Sequence, residues 1–357
     1  MSPNSSHPKI HPASPEAIQL ASRHLRDGKL IGLPTETVYG LAARGDQSAC
    51  VNKIFAAKNR PANNPLILHV DGLDAVLPLV QLDNSITQTR LERASQLWPG
   101  PLTLVLPRSP RVINEVTAGG DTVAVRVPEH PVALELLKAV GLPIAAPSAN
   151  VSNYISPTRP EHVIQGLESA VEMVLDGGPC RVGLESTVLS IANPHSPPRI
   201  LREGMLSVER LQDALQEPVQ SSKDVATRSN ATLAKSRSTP APLASPGMLR
   251  KHYSPTTPLR LVKETANRSS TDGRVLRLRL RTLHHHVEGY AAVWDLSETG
   301  DPHTIAARLY SVLREADAAG FDAIEVDELM LDRWPQDTNR NLLIAIQDRL
   351  VRAAQQD

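Results

Sequence analysis

The sequence predicts two α/β domains joined by a long linker. Its 357 residues exceed what one typical hydrophobic core holds, so two domains are expected. Short apolar runs alternate with segments of helical period, which is typical of α/β domains with largely buried sheets. Residues 217–244 are rich in Ser, Thr, Ala, Gln, Lys and Pro and hold scarcely any large apolar side chain. That composition predicts a linker.

The first domain begins with a helix. Ser14 followed by Pro15 is typical of a helix cap and first turn, and apolar residues then recur with helical period to about residue 29. Strands are predicted for the apolar runs 30–33, 66–70, 102–106, 123–127, 144–146, 171–175 and 188–191. Helices are predicted at residues 48–58, 91–98, 131–140 and 161–167. We therefore assign residues 1–13 to a disordered tail and 14–214 to this domain.

The remainder of the chain predicts a smaller α/β domain. Its strands are expected at residues 274–280, 291–294 and 323–326, and its helices at 304–319 and 341–353. We place the linker at residues 215–257 and the small domain at 258–357.

Composition and charge argue against several classes of protein, among them those that bind RNA by broad electrostatic attraction. Lys plus Arg and Asp plus Glu both number 38, so the formal net charge is zero and broad electrostatic capture of RNA is not indicated. The two cysteines lie far apart without a metal-binding spacing, which fits a reducing compartment. No signal peptide or membrane-spanning apolar run is visible, so we expect a soluble, cytoplasmic protein.

Polar side chains follow several of the predicted strands, where open α/β sheets usually bind ligands. Residues 34–40 place hydroxyls and a carboxylate after the first strand, although, taken alone, a helix-capping Thr with a Glu that favours the helix dipole explains them better. Lys58 and Arg60 share one turn and suit phosphate or carboxylate oxygens; alternatively they offset a helix's negative end. Ser148 and Asn150 follow a buried strand and could bind an anion or an adenine edge, or merely form a turn.

Arg126 lies inside a strand whose neighbours are apolar. A buried arginine needs an anionic partner. A substrate carboxylate and a structural carboxylate, such as Glu36 or Glu129, are equally good candidates from the residues alone. No phosphate-binding loop of Walker type, nucleophile elbow or zinc-protease motif occurs, so any nucleotide must be bound in another way.

Taken together, seven segments resemble the threonylcarbamoyl-adenylate synthase family in order and spacing. They are PTETVYGL (34–41), KNRPANNPLILHV (58–70), WPGPLTLVL (98–106), TVAVRVP (122–128), APSAN (146–150), GLESTV (183–188) and LREG (201–204). Residues 245–255 resemble the linker of that family's two-domain branch. The resemblance implies a twisted mixed sheet with a concave, positively lined cavity for anionic substrates, a YrdC-like fold. It also implies a Rossmann-like C-terminal domain and a lid formed by residues 245–255.

The resemblance also implies the reaction and its residues. The family condenses L-threonine, bicarbonate and ATP into L-threonylcarbamoyladenylate with release of pyrophosphate. The matching positions for the reacting groups are Lys58, Arg60, Ser148 and Asn150. Those for threonine are Thr37, His69, Arg126, Ala146 and Ser186, with Arg126 holding the carboxylate. Those for ATP are Arg60, Asn64, Thr122, Ser148, Ser156, Arg202, Tyr253 and His252.

Further expectations follow from the same resemblance. Mg²⁺ should accompany ATP through phosphate oxygens and water, without assigned protein ligands. The product should pass to a transferase that modifies adenosine 37 of tRNA, and direct tRNA binding should be weak. Two rivals stay open: a related carbamoyl-transfer enzyme, as in hydrogenase maturation, and a non-catalytic RNA-binding module. The first carries acylphosphatase and zinc-finger segments that are not visible here, and zero net charge weighs against the second.

Overall fold

The computed structural model describes residues 7–221, 252–268, 273–282, 287–335 and 338–355. It holds one large mixed sheet and one small parallel sheet, each covered by helices. The predicted fold class, an α/β protein with two domains, is confirmed. The predicted linker core and most of the predicted lid, residues 245–251, lie outside the described residues.

The amino-terminal domain is built on a ten-stranded sheet. Its strands are β1 Ile10–Pro12, β2 Leu30–Leu33, β3 Gly40–Arg44, β4 Ile67–His69, β5 Leu102–Pro107, β6 Thr122–Arg126, β7 Ile144–Ala145, β8 Val171–Asp176, β9 Thr187–Ser190 and β10 Arg199–Arg202. They are ordered β1-β8-β2-β3-β7-β4-β6-β5-β9-β10. The sheet is mixed: β3 pairs antiparallel with β2 and β7, and β4 pairs antiparallel with β7 and parallel with β6. These pairings place β2, β3, β7, β4 and β6 side by side.

Eight helices among residues 7–221 cover this sheet. They are α1 Pro15–Arg26, α2 Ser48–Lys58, α3 Leu73–Val76, α4 Ser85–Ala94, α5 Asn114–Thr117, α6 Pro131–Val140, α7 Pro160–Leu167 and α8 Val208–Leu215. The predicted cap of α1 is present, because the Ser14 hydroxyl accepts a hydrogen bond from the Ala17 amide at 3.2 Å and Pro15 opens the first turn. Helices α1 and α6 bury their apolar faces together against one side of the sheet.

Two boundary predictions are wrong. The tail assigned as disordered through residue 13 contains β1, which pairs in parallel with β8. Its three residues are too few to show a strand period. The linker was predicted to start at residue 215, yet the chain stays packed through residue 221. The Glu217 carboxylate receives two hydrogen bonds from Arg90, and Val219 is buried.

The carboxyl-terminal domain is a four-stranded parallel sheet ordered β11-β14-β12-β13. Its strands are β11 Leu259–Val262, β12 Val275–Arg279, β13 Ala292–Asp295 and β14 Ala323–Asp327. Helices α9 Pro302–Ala318 and α10 Arg340–Ala353 pack on it and on each other. Its apolar core includes Val38, Ile155 and Leu184 of the large domain, so the two domains share a buried interface.

Among the described residues, no helix combines the length and the apolar character needed to cross a bilayer.

Candidate active site

A partly open cavity lies between the two domains, at the start of the chain that enters the second domain. It opens at the loops after β2, β4 and β7, which neighbouring strands of the sheet bring together. Its lining residues are Val38, Arg60, Ile67, His69, Ala146, Pro147, Ser148, Glu185, Arg202, His252 and Tyr253. Seven of these were predicted as site residues, from four separate segments of the chain.

Lys58 and Arg60 reach the site because α2 ends between them. Asn59 adopts a left-handed conformation (φ 49°), which stops the helix and turns the next residue back toward the sheet. Lys58 is fully buried and donates hydrogen bonds to the carbonyl oxygens of Ser148, at 2.5 Å, and Asn150. Arg60 is held by Asn64, whose side-chain oxygen accepts from the guanidinium at 2.7 Å. Asn64 is thus a support for Arg60.

The loop that carries Ser148 is fixed against β3. The Leu41 amide donates to the Pro147 carbonyl at 2.7 Å, and the Ala149 amide donates to the Tyr39 carbonyl at 2.8 Å. Ser148 lines the cavity beside Ala146. The Asn150 side chain instead donates to the carbonyls of Val151 and Tyr154, so it shapes the loop in this state.

Arg126 pairs with Glu36, one of the two structural carboxylates that the sequence analysis named as possible partners. It donates to Glu36 at 2.6 Å and to the Thr37 hydroxyl at 2.9 Å, and both acceptors are buried. Glu129, the other candidate, pairs with Arg181 at the surface. The second carboxylate oxygen of Glu36 has no hydrogen-bond partner. The ion pair between Arg126 and Glu36 therefore leaves one buried carboxylate oxygen without a hydrogen bond.

His69 lies beside Arg126 in the parallel pairing of β4 and β6 and faces the cavity together with Ile67. Burial and the positive charge of Arg126 together lower the pKa of His69 to about 3. Its Nδ1 atom is buried without a partner. A neutral imidazole at this place can accept or donate one hydrogen bond to a ligand.

Ser186 and Arg202 form one group on the opposite wall. The Ser186 hydroxyl is 2.7 Å from that of Thr103, and Arg202 donates to both the carbonyl and the hydroxyl of Ser186 at 3.1 Å. Ser156 is buried behind them and donates to Glu185 at 2.6 Å. The hydroxyls are therefore held in place before any ligand arrives.

Eight of the fifteen predicted site residues do not line this cavity, and Thr122 is the one of them that lines a different cavity. It lies at the start of β6, four residues before Arg126, and lines a separate cavity with Ser190, Asn193 and Arg199. A rise of about 3.3 Å per residue places the two ends of such a strand roughly 13 Å apart. Its predicted contact with ATP stays a prediction.

His252 and Tyr253 are brought to the cavity by the chain that enters the second domain. Tyr253 is buried, adopts a left-handed conformation (φ 65°) and stacks on Tyr310 with ring centroids 5.6 Å apart. Burial lowers the pKa of His252 to about 3. Glu185 also lines this wall; the sequence analysis included it in the segment GLESTV but assigned it no role.

The electrostatics of the cavity are unusual in one respect. Within the described residues, Lys58, Arg60 and Arg202 form no ion pair with a carboxylate; their hydrogen bonds go to carbonyl, amide and hydroxyl oxygens. Burial, and then the charge of Arg60, lowers the pKa of Lys58 well below its ordinary value. Burial and the charge of Arg202 lower the pKa of Arg60 to about 9. Uncompensated cations in such a place are costly unless an anion binds.

Comparisons with known proteins identify the family. Residues 23–204 match the Sua5/YciO/YrdC family model, described as telomere recombination, and residues 206–355 match that of the threonylcarbamoyl-AMP synthase C-terminal domain. Threonylcarbamoyl-AMP synthase of Bacillus subtilis is 37% identical over 347 residues, covering 94% of this chain and 92% of the relative. The Pyrococcus abyssi enzyme of the same name is 35% identical and covers 94% of both chains.

A solved structure extends the likeness to both domains. The crystal structure of Pyrococcus abyssi Sua5 complexed with L-threonine superposes with a TM-score of 0.78, at 32% identity, over 97% of each chain. The fold and the cavity thus define an enzyme of the Sua5/YrdC class. The chain belongs to the two-domain threonylcarbamoyl-AMP synthase family.

The buried histidines predict acid sensitivity. Because folding lowers the pKa of His69 and His252 from 6.5 to about 3, the unfolded chain takes up protons below pH 6.5 that the folded chain does not. We expect the free energy of unfolding to fall by roughly 1 kcal/mol per pH unit per histidine between pH 6 and pH 4. Thermal unfolding measured across this range tests it, and a His69→Asn variant should show a shallower slope. An unfolding temperature independent of pH would contradict the assignment.

Proposed function

We propose that the chain condenses L-threonine, bicarbonate and ATP into L-threonylcarbamoyladenylate and pyrophosphate. The observation that carries the proposal is that Arg60 and Arg202 line one cavity, that Lys58 is bonded to the carbonyl oxygen of the lining residue Ser148, and that, within the described residues, none of the three pairs with a carboxylate. Each reactant of this condensation carries an anionic group. A site with surplus buried positive charge suits them because it offsets their mutual repulsion.

Different residues around the cavity bind threonine and ATP. Threonine binds near His69 and Ala146, with its carboxylate directed to Arg126 in partial exchange for Glu36. The Pyrococcus abyssi relative was crystallised with L-threonine, which supports an amino-acid subsite of this kind. The triphosphate binds against Arg60, Ser148 and Arg202, and Tyr253 packs beside the nucleotide.

The chemical steps need no covalent intermediate with the protein. The deprotonated threonine amine adds to the carbon of bicarbonate, with loss of water, or to that of carbon dioxide, with loss of a proton, and forms a carbamate. A carbamate oxygen then attacks the α-phosphorus, and the bond to pyrophosphate breaks. Lys58 and Arg60 stabilise the charge that develops on the phosphoryl oxygens and the leaving group, while Ser148 orients them.

Magnesium is part of this proposal as a companion of ATP. Among the described residues, no group of three or more His, Cys, Asp and Glu side chains could hold a metal ion, and Glu185 is already bonded to Ser156. The surroundings therefore fit Mg²⁺ coordinated by phosphate oxygens and water. When bound, the ion neutralises part of the triphosphate's charge.

The reaction is tested by measuring pyrophosphate release from the full chain. We expect release that requires threonine, bicarbonate and ATP together, and a product whose mass equals that of threonylcarbamoyl-AMP. Release without threonine would indicate plain ATP hydrolysis. No release, accompanied by salt-sensitive binding of RNA, would favour the RNA-binding alternative. Transfer of the product to tRNA by a separate transferase is the downstream step we propose.

A further inference from the structure

Two side chains of the carboxyl-terminal domain reach the wall of the cavity. Tyr310 of α9 donates a hydrogen bond to Glu185 at 3.0 Å, and Arg349 of α10 donates to the same oxygen at 3.1 Å. Both are fully buried, and Glu185 is 7% exposed. Ser156 donates to the other carboxylate oxygen at 2.6 Å. One acidic group of the catalytic domain is thus bonded by residues of both domains.

Arg349 has further contacts along this wall. It donates to the Glu203 carbonyl, next to Arg202, at 2.9 Å. Its guanidinium also lies over the ring of Tyr253, 5.4 Å from the centroid, and Tyr253 stacks on Tyr310. Arg349 therefore contacts three segments that form the cavity wall.

The domains approach closely at this place. Gly183 has a positive φ of 74°, and a Cβ atom there would lie 2.4 Å from the Ala306 carbonyl oxygen of α9. Only glycine permits this separation, which brings Glu185 within reach of Tyr310 and Arg349. The contact between Glu185 and the second domain is therefore specified by the backbone as well as by the side chains.

The charge of Glu185 poses a problem for an anion site. Burial alone would raise its pKa, but the charges of Arg349 and Arg202 and the bond from Ser156 lower it to about 2, so the group is a carboxylate. A carboxylate that lines the cavity repels phosphate and attracts Arg202. Within the described residues, its bonds go to Arg349, Tyr310 and Ser156, and none to Arg202.

We propose that Arg349 and Tyr310 are positioning residues for the nucleotide subsite: they bind Glu185 and so leave Arg202 and Arg60 available to the triphosphate. This inference rests on the proposed function only in taking the cavity as the ATP site. It assigns the carboxyl-terminal domain a defined task, which is to neutralise one acidic group of the catalytic domain. Without Arg349, Glu185 pairs with Arg202 and withdraws that cation from the ligand.

The test is ATP binding to the full chain by isothermal titration calorimetry, which does not depend on turnover. We expect Arg349→Met to raise the Kd for ATP at least tenfold and to leave that for threonine within twofold. Adding Glu185→Gln should restore ATP binding to within about threefold, because an amide no longer captures Arg202. Tyr310→Phe, which keeps the stacked ring, should weaken ATP binding only two- to fivefold.

The matched control is Arg277→Met. Arg277 is also fully buried in the second domain and pairs with Asp327, away from the cavity. If it weakens ATP binding as much as Arg349→Met, or if Glu185→Gln fails to rescue, the positioning role is overturned. Failure of the proposed function would look different: the unmodified chain would bind ATP but release no pyrophosphate with threonine and bicarbonate.

Discussion

Replacing Lys58 by Met should abolish synthesis while the protein stays folded. We expect pyrophosphate release to fall more than 100-fold, which is the loss typical when one donor to a developing negative charge is removed. Stability should change little because two effects oppose each other. The carbonyl oxygens of Ser148 and Asn150 each lose a donor, but a buried cation without a carboxylate partner is removed as well.

The control for this variant is Lys53→Met in the same helix. Lys53 is exposed and donates only to the Gly28 carbonyl, away from the cavity. Its substitution should leave pyrophosphate release within twofold. Initial rates and thermal unfolding temperatures of both variants would be measured together. Full turnover by Lys58→Met would remove this lysine from the mechanism.

The second large effect is expected at Arg126. Replacing it by Met should raise the KM for threonine about 100-fold, since truncating one member of a buried charged pair costs roughly 2–5 kcal/mol of binding. It should also destabilise the fold by about 3 kcal/mol, because Glu36 is then a buried charge without a partner. Steady-state kinetics in threonine and chemical denaturation measure the two effects separately.

A double variant separates these two roles of Arg126. Adding Glu36→Gln removes the orphaned charge, so most of the lost stability should return. The KM for threonine should stay high, because the cation that binds the substrate carboxylate is still missing. If the double variant regains both stability and a normal KM, Arg126 serves only the fold.

Local sequence signals predicted much of the first domain. The strands rich in Val, Ile and Leu were found because those side chains favour a buried sheet. Strand β3, with the sequence GLAAR, was missed since Gly and Ala carry no such preference. Strand β11 and helix α8 were also absent from the prediction. Both lie next to the linker, where the apolar pattern is short.

The candidate site was likewise predicted in part from the sequence. Its segments were recognisable because each carries polar groups at a strand exit, and pairing in the sheet brings most of them together. Thr122 fails this rule, because it stands at the opposite end of its strand from Arg126. The sequence named Glu36 as one possible partner of Arg126, but it could not distinguish Glu36 from Glu129 or from a substrate carboxylate. The contact of Glu185 with Arg349, 164 residues away, leaves no local trace in the sequence.

A crystal structure of the full chain with threonine and a non-hydrolysable ATP analogue tests the central claim most directly. Phosphate oxygens should lie within hydrogen-bond distance of Arg60, Ser148 and Arg202, with the threonine carboxylate on Arg126. A nucleotide bound elsewhere, for example at the carboxyl ends of the small parallel sheet, with these cations still without an anion, would contradict it.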